Sequence, residues 1–156
     1  MSLETNSSNN NVDVYHNFAD MKLKSNLLKG LFSYGFEKPS NIQQRAIMPF
    51  VNGRDILAQA QSGTGKTAAF SIGVLQNIDE SKVKAQAIIL APTRELAKQI
   101  HAVVNELSKF TEIKTKLIIG GRRTSKYTYQ NIDEDCHLII GTPGRISDNL
   151  VKGRIS

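Results

Sequence analysis

The sequence predicts an α/β fold in which a parallel sheet lies between layers of helices. Short apolar runs, of which AIIL at 87–90 is the clearest, alternate along the chain with longer amphipathic runs of helical period. These apolar runs lack the polar–apolar alternation of a half-exposed strand, which indicates a parallel sheet covered on both faces. A glycine-rich loop at 60–67 separates an apolar run from a helical run, the order expected of a phosphate-binding unit.

The individual elements follow from periodicity and from residues that begin or end them. Gly35 ends the first helical run, and Ser40 is a good N-cap for the second, which Asn52 and Gly53 end in a turn. Helices are predicted in SNLLKGLFSYGF (25–36), SNIQQRAIMPFVNG (40–53), KTAAFSIGVLQNI (66–78), RELAKQIHAVVNELSKF (94–110) and GRISDNLVKG (144–153). Strands are predicted in DILAQA (55–60), AQAIILAP (85–92), KLIIGG (116–121) and CHLIIGTP (136–143).

Size and composition narrow the class of protein. The 156 residues suit one domain with a core, and no apolar run approaches the ~18 residues of a membrane span. Asn and Ser dominate residues 1–16, which are predicted to be disordered, and residues 17–156 are predicted to form the folded part. No basic region followed by an apolar stretch opens the chain, so an intracellular protein, cytoplasmic or nuclear, is expected.

The net charge of +6 has two interpretations, a mildly basic surface or a polyanionic partner. Because the Lys and Arg residues are spread along the chain, charge alone favours the first. Cys136 is the single cysteine, which excludes an internal disulfide and a multi-cysteine metal site within this sequence. It precedes the apolar run HLIIG, so a buried structural thiol is favoured over a nucleophile.

The loop AQSGTGKT fits the phosphate-loop pattern of Gly, four residues and Gly-Lys-Ser/Thr, with Ala60 in place of the first Gly. Two glycines free the backbone, so that amide N–H groups can converge on an anion. Lys66 is expected to reach the β- and γ-phosphates and the Thr67 hydroxyl to ligate Mg²⁺, which makes both catalytic candidates. The predicted phosphate-binding residues are Ala60, Gln61, Ser62, Gly63, Thr64, Gly65, Lys66 and Thr67.

The loop indicates a nucleoside triphosphate but does not name the base. Upstream, Gln43 closes the stretch GFEKPSNIQ, and its carboxamide offers the donor and the acceptor that the N6 and N7 edge of adenine requires. Taken alone, a polar residue on a helix surface explains Gln43 better.

Five motifs in order carry a resemblance to a known family: GFEKPSNIQ, AQSGTGKT, PTRELA, GG and TPGR. From about Phe18 onward the chain resembles the first RecA-like lobe of DEAD-box ATP-dependent RNA helicases, with wording closest to the initiation factor 4A subfamily. The resemblance implies a three-layer RecA-like P-loop NTPase fold, C-terminally incomplete, that binds ATP with Mg²⁺. It also implies that Gln43 reads adenine, that Phe18 stacks on the ring, and that Phe36 and Lys38 shape the pocket. Without the resemblance, Phe18 and Phe36 are better explained as core residues.

Three further segments follow predicted strands, at the edge of a parallel sheet where ligands collect. Their hydroxyls, amides and arginines suit a sugar-phosphate backbone, although each segment alone could be a solvated helix start or a simple turn. The resemblance assigns them to single-stranded RNA, with little sequence preference and a strong salt dependence. The implied RNA contacts are Thr93, Arg94, Gly121, Thr142, Gly144 and Arg145.

Motif II of the family, Asp-Glu-Ala-Asp, is not found in this sequence. DED at 133–135 precedes its strand, whereas an acidic metal-binding motif follows its strand. We therefore expect this chain alone to bind ATP and RNA without hydrolysing ATP at a helicase rate. The resemblance implies RNA-stimulated ATP hydrolysis and unwinding by an intact protein, with a second lobe and an initiation-factor scaffold protein as partners.

Two other interpretations compete with this one. The chain could be a non-enzymatic ATP- and RNA-binding fragment, or another P-loop NTPase such as a GTPase. No Asn-Lys-x-Asp guanine signature is present in the sequence, which disfavours the GTPase. In the family fold, strands after TPGR lie beside the phosphate-loop strand, so DILAQA is expected to have an unpaired apolar edge that recruits a partner or aggregates.

Overall fold

A computed structural model describes residues 13–120 and 135–155 of the chain. Predicted features that fall outside these ranges are Gly121, most of the DED stretch and residues 1–12 of the amino-terminal segment. Five helices are described, at α1 Ser25–Tyr34, α2 Asn41–Val51, α3 Lys66–Asn77, α4 Arg94–Ser108 and α5 Pro143–Val151, with a short 3-10 helix at Ala19–Met21. Three strands are described, at β1 Ala87–Leu90, β2 Thr115–Ile118 and β3 Leu138–Gly141.

The three strands form one parallel sheet in the order β1-β3-β2. Leu138 opens the central strand and lies in register with Ala87 on one side and Thr115 on the other. All four residues of β3 are buried, as expected for an apolar strand between two neighbours. The carboxyl ends of the strands therefore meet at one edge of the sheet, and the helices α4 and α5 begin just beyond β1 and β3 there.

The predicted strand at 55–60 is wrong. These residues belong to no strand, and Leu57 among them is fully exposed. A strand needs a backbone partner, and each of the three described strands pairs only within the β1-β3-β2 sheet. Residues 55–60 therefore lack the inter-strand backbone pairing that their apolar pattern predicted.

The sheet was predicted to be covered on both faces, and the structure shows this for only part of it. The central strand is buried throughout, but Ile88 and Leu90 of β1 are exposed. Among the described residues, that part of β1 has no covering helix. The apolar composition of β1 correctly predicted a strand of a parallel sheet, but it did not reveal that one side of that strand lies open.

The helices begin and end where their flanking residues predicted. Gly35 adopts a positive φ of 102° after α1, a left-handed conformation that glycine takes without a steric penalty. Ser40 and Gln43 form a capping box at the start of α2. Thr93 caps α4, with its hydroxyl oxygen accepting a hydrogen bond from the Leu96 N–H at 3.2 Å.

The core joins the helices to one side of the sheet. Helix α1 packs on α4 at Gly30, where an added Cβ would lie 1.9 Å from the Leu107 carbonyl oxygen. Lys24, just before α1, donates from its ammonium to the carbonyl oxygens of Leu75 (3.5 Å) and Ile78, which satisfies the end of α3. A second apolar cluster includes Cys136, which is buried as predicted for a structural thiol.

Ordered packing begins before residue 17. The Tyr15 N–H donates to the Gln44 carbonyl oxygen at 3.1 Å, and the Tyr15 side chain packs against the main core. The end of the segment predicted to be disordered, residues 1–16, is thus anchored to α2. In the parts of the chain that the structure describes, no helix is long and apolar enough to cross a membrane.

Candidate functional site

The phosphate loop owes its path to two glycines. Gly63 and Gly65 have φ values of 79° and 91°, a region that side chains with a Cβ rarely adopt. Gly65 is also the N-cap of α3, so the helix begins directly at Lys66. The first turn of a helix has N–H groups without intrahelical partners and a partial positive charge, which together favour an anion. The end of the loop therefore presents helix N–H groups that suit an anion.

Lys66 lies folded back on the loop that precedes it. Its ammonium donates to the carbonyl oxygens of Ala60 and, at 2.8 Å, of Gln61. The Gln61 oxygen also accepts a hydrogen bond from the Thr64 hydroxyl at 2.7 Å. A phosphate would offer this ammonium a charged acceptor, which makes a stronger hydrogen bond than a neutral carbonyl.

Helix α2 holds the loop from the other side. The Ser40 hydroxyl donates to the Thr64 carbonyl oxygen at 2.8 Å. The Gln43 carboxamide donates to the Gly65 carbonyl oxygen at 3.3 Å, while its oxygen accepts the Ser40 N–H at 2.9 Å. Gln43 is only 1% exposed. Two residues of one helical turn thus fix consecutive carbonyls at the point where the loop enters α3.

A cavity of about 780 Å³ opens beside the loop. Lys66 and Thr67 line it together with apolar side chains of α2, α3 and α4 and of the segment that follows α2. Other loop residues at this cavity are Ser62, Gly63 and Gly65, and its apolar walls include Phe36, Ile42, Ala46, Phe50, Leu96 and Ile100. The cavity is large enough for a small-molecule ligand, with polar groups concentrated at the loop.

The donor set at this cavity fits a nucleoside triphosphate with Mg²⁺. Mg²⁺ is usually held by one or two protein oxygens, by water and by the phosphates themselves. The Thr67 hydroxyl is a suitable protein oxygen, since Thr67 lies in the first turn of α3 next to Lys66. The remaining ligands would come from the triphosphate and water.

The predicted base-contacting residues differ in how accessible they are from the cavity. Phe36 lines the cavity, and Lys38 is exposed nearby in sequence. Phe18 is 1% exposed and lies in the core, with its ring centroid 6.4 Å from that of Phe36 and the two planes tilted by 57°. The ring of Phe18 therefore presents no open face for stacking in this conformation.

A second, shallow depression of about 500 Å³ lies at the carboxyl-end edge of the sheet. We call it the basic cleft. Of the six predicted RNA contacts, it brings together Arg94, Thr142, Gly144 and Arg145, and it also includes Gly120. Thr93 adjoins it as the N-cap of α4. The predicted RNA contacts that the structure describes therefore all lie in or beside the basic cleft.

Two residues of the basic cleft were not predicted. Asp148 and Lys152 line it, and both lie on the same face of α5 as Arg145. The hydrogen bond from Lys152, assisted by the charges of Lys152, Arg145 and Arg154, lowers the pKa of the Asp148 carboxyl. The spacing of three and seven residues from Arg145 is the signal in the sequence that could have identified them.

Ser40 was predicted only as a helix cap, and its hydrogen bond to the phosphate loop was missed. The sequence contains the capping-box pattern Ser-x-x-Gln at 40–43. That pattern explains the contacts within α2 but gives no indication of the Thr64 carbonyl, which lies 24 residues later in the chain.

Comparison with known proteins identifies the family. The sequence profile of DEAD/DEAH box helicases matches residues 40–156, which is more than half of the chain. The chain belongs to the DEAD/DEAH box helicase family. The resemblance stated from the motifs is therefore confirmed, and the matched region includes both the phosphate loop and the basic cleft.

Curated relatives in the family include initiation factors. The chain is 54% identical over 138 residues to eukaryotic initiation factor 4A of Drosophila melanogaster, covering 88% of this chain and 34% of the relative. It is 53% identical over 143 residues to the ATP-dependent RNA helicase eIF4A of Yarrowia lipolytica, covering 92% of this chain and 36% of the relative. The chain thus spans about a third of the length of the curated relatives that it matches.

Solved structures of DEAD-box proteins share the fold. Saccharomyces cerevisiae Dbp5 bound to RNA and ADP BeF3 superposes with a TM-score of 0.82 at 39% identity, covering 91% of this chain and 36% of Dbp5. A DEAD box protein of Methanococcus jannaschii superposes with a TM-score of 0.79 at 35% identity, covering 92% of this chain and 39% of that protein. These similarities confirm the predicted RecA-like fold.

The two loop glycines provide a matched test of how α2 holds the phosphate loop. Gly63→Ala should destabilise the protein by about 1 kcal/mol through backbone strain alone, because no atom lies within 4 Å of the added Cβ. Gly65→Ala should cost at least about 1 kcal/mol more, because its Cβ would lie 2.5 Å from the Gln43 Nε2 and displace that amide. Urea denaturation without nucleotide measures both, and equal losses would show that the Gln43 contact is unimportant.

Proposed function

We propose that this chain is the ATP- and RNA-binding first lobe of a DEAD-box RNA helicase of the initiation factor 4A type. The main support is the hydrogen bond from buried Gln43 to the Gly65 carbonyl oxygen, because it joins the phosphate loop to the helix that contains the predicted adenine-binding motif. Homology supports the assignment, since relatives at 54% and 53% identity are named as initiation factor 4A proteins.

Gln43 can serve adenine and the loop together. Its carboxamide carries two N–H groups and two oxygen lone pairs. The hydrogen bonds to Gly65 and Ser40 use one of each. One donor and one acceptor are left, the pair that the N6 and N7 edge of adenine requires. Gln43 is 1% exposed and does not line the cavity, so a base would reach these groups only after neighbouring side chains move aside. Because Gln43 is held from both sides, the base would meet a fixed carboxamide.

The triphosphate would occupy the loop and the first turn of α3. Lys66 would exchange its neutral acceptors, the carbonyls of Ala60 and Gln61, for phosphate oxygens. Thr67 would hold Mg²⁺ with one hydroxyl oxygen, and Mg²⁺ would neutralise charge on the phosphates. We propose that Phe36 flanks the base from the cavity wall, and that Phe18 supports Phe36 from the core.

Single-stranded RNA would lie in the basic cleft. Arg94 and Arg145 supply charge, and Gly120 and Gly144 let a strand approach the backbone closely. An added Cβ at Gly120 would come within 3.3 Å of the Arg94 guanidinium, so the glycine leaves room for that arginine. Support comes from Dbp5, a structural neighbour solved with RNA.

Gln43→Ala tests the choice of base. The substitution should weaken binding of a fluorescent ATP analogue by more than about tenfold. Unlabelled ATP and GTP should then displace the analogue at similar concentrations. Gln44→Ala is the matched control, because Gln44 is the next residue on α2 and donates instead to the Pro39 carbonyl oxygen. A preference for ATP that survives in Gln43→Ala would refute the role of Gln43, and no nucleotide binding by the wild type would refute the function.

ATP turnover tests the extent of the activity. Phosphoryl transfer needs metal-binding, water-positioning and charge-stabilising groups together, and this sequence contains no Asp-Glu-Ala-Asp motif. We expect the 156-residue chain to bind ATP but to release no phosphate above the rate of a Lys66→Ala variant, with or without RNA. A malachite green assay measures this, and RNA-stimulated phosphate release by the wild type alone would contradict it.

A further inference from the structure

The last turns of α5 extend the basic cleft beyond the residues that the motifs name. Arg145, Asp148 and Lys152 lie at i, i+3 and i+7, which places them on one face of the helix. The Arg145 Nη1 lies 3.6 Å from one carboxylate oxygen of Asp148, and the Lys152 Nζ lies 2.5 Å from the other. One carboxylate thus holds two cations side by side along the cleft.

The charge of the cleft remains positive despite this carboxylate. Arg94 also lines the cleft, so its described lining residues include three cations and a single carboxylate, that of Asp148. Asp148 therefore does not neutralise the surface. Its effect is on geometry, because it keeps the Lys152 ammonium next to Arg145 when the flexible lysine stem could otherwise turn to solvent.

Lys152 also has donors left for a ligand. Its ammonium carries three N–H donors, of which the described ion pair with Asp148 uses one. Its side chain is 49% exposed, so it can donate to a phosphate while Asp148 keeps it in place. The charged groups of Arg145 and Lys152 contact the two oxygens of one carboxylate, so they would contact the same phosphate or neighbouring phosphates of one strand.

From these contacts we propose that Lys152 is a further backbone-contacting residue of the cleft, and that Asp148 is the residue that positions it beside Arg145. The ligand is the sugar-phosphate backbone of a single-stranded nucleic acid. This inference rests on the proposed function of the cleft and adds one phosphate contact to it. It also assigns a role to the part of α5 that follows TPGR.

The test is the salt dependence of binding to a fluorescein-labelled single-stranded oligouridylate, measured by fluorescence anisotropy with the full 156-residue chain. One lost contact to a single strand lowers the slope of log K against log salt by about 0.7. Lys152→Ala should lower the slope by this amount and weaken binding at low salt, whereas Lys152→Arg should retain it. In an Asp148→Asn background, Lys152→Ala should lower the slope by less than half as much.

Lys109→Ala is the matched control. Lys109 also makes an exposed ion pair with a carboxylate of its own segment, at 3.5 Å to Glu106, and its side chain is 37% exposed. Lys109 follows the last residue of α4, at the end far from the basic cleft. Its substitution by Ala removes one positive charge, as Lys152→Ala does. The slope should stay within about 0.2 of the wild-type value, because no bound phosphate contacts Lys109.

The Arg145→Ala variant distinguishes nucleic-acid binding by the cleft from the specific role of Lys152. If Arg145→Ala lowers the slope while Lys152→Ala matches Lys109→Ala, the cleft binds the strand and the role of Lys152 is refuted. If the wild-type chain does not bind the oligouridylate at low salt, both the function of the cleft and the role of Lys152 are refuted. An unchanged effect of Lys152→Ala in the Asp148→Asn background would refute the positioning role of Asp148.

Discussion

The hydrogen bonds between the first turn of α2 and the end of the phosphate loop are the constraint on which the nucleotide site depends. A glycine-rich loop has many accessible conformations, and ordering it costs backbone entropy. Here Ser40 and Gln43 bind the carbonyls of Thr64 and Gly65, so the loop enters α3 along one path. We infer that these two hydrogen bonds order the loop amides before a ligand binds.

This constraint also unites the base-reading and phosphate-binding parts of the site. Gln43 is buried because α2 packs against α3, and the Gly65 carbonyl that it binds also accepts the Ala69 N–H of the first turn of α3, at 3.0 Å. The position of the carboxamide and the position of the helix end are therefore fixed together. A change in one is transmitted to the other through a single carbonyl oxygen.

Local features of the sequence predicted most of the fold. Apolar periodicity and the helix-ending or helix-starting residues Gly35 and Ser40 depend only on nearby residues, so all five helices and the strands β1 to β3 were predicted correctly. The segment at 55–60 has the same apolar pattern, but strand formation also requires a partner, which no short stretch of sequence reveals. The predicted strand there was wrong for that reason.

The candidate site was predicted by motifs more fully than by physical reasoning from single residues. The motifs identified the loop and the cleft residues, but the hydrogen bond from Ser40 to Thr64 joins positions that only the folded chain brings together. Asp148 and Lys152 could have been found by extending the helical spacing from Arg145. The burial of Phe18 agrees with the core position that its residue type alone favours, and not with the stacking role that the resemblance implied.

Hydrogen–deuterium exchange of the amides in residues 60–70 would show whether Ser40 orders the phosphate loop, because exchange reports local opening of the loop and of the first turn of α3. Without nucleotide, Ser40→Ala should accelerate exchange in this segment and leave α1 and α4 unchanged, and Ser40→Thr, which keeps the hydroxyl, should match the wild type. The account would be contradicted if Ser40→Ala and the wild type exchanged at the same rate across residues 60–70.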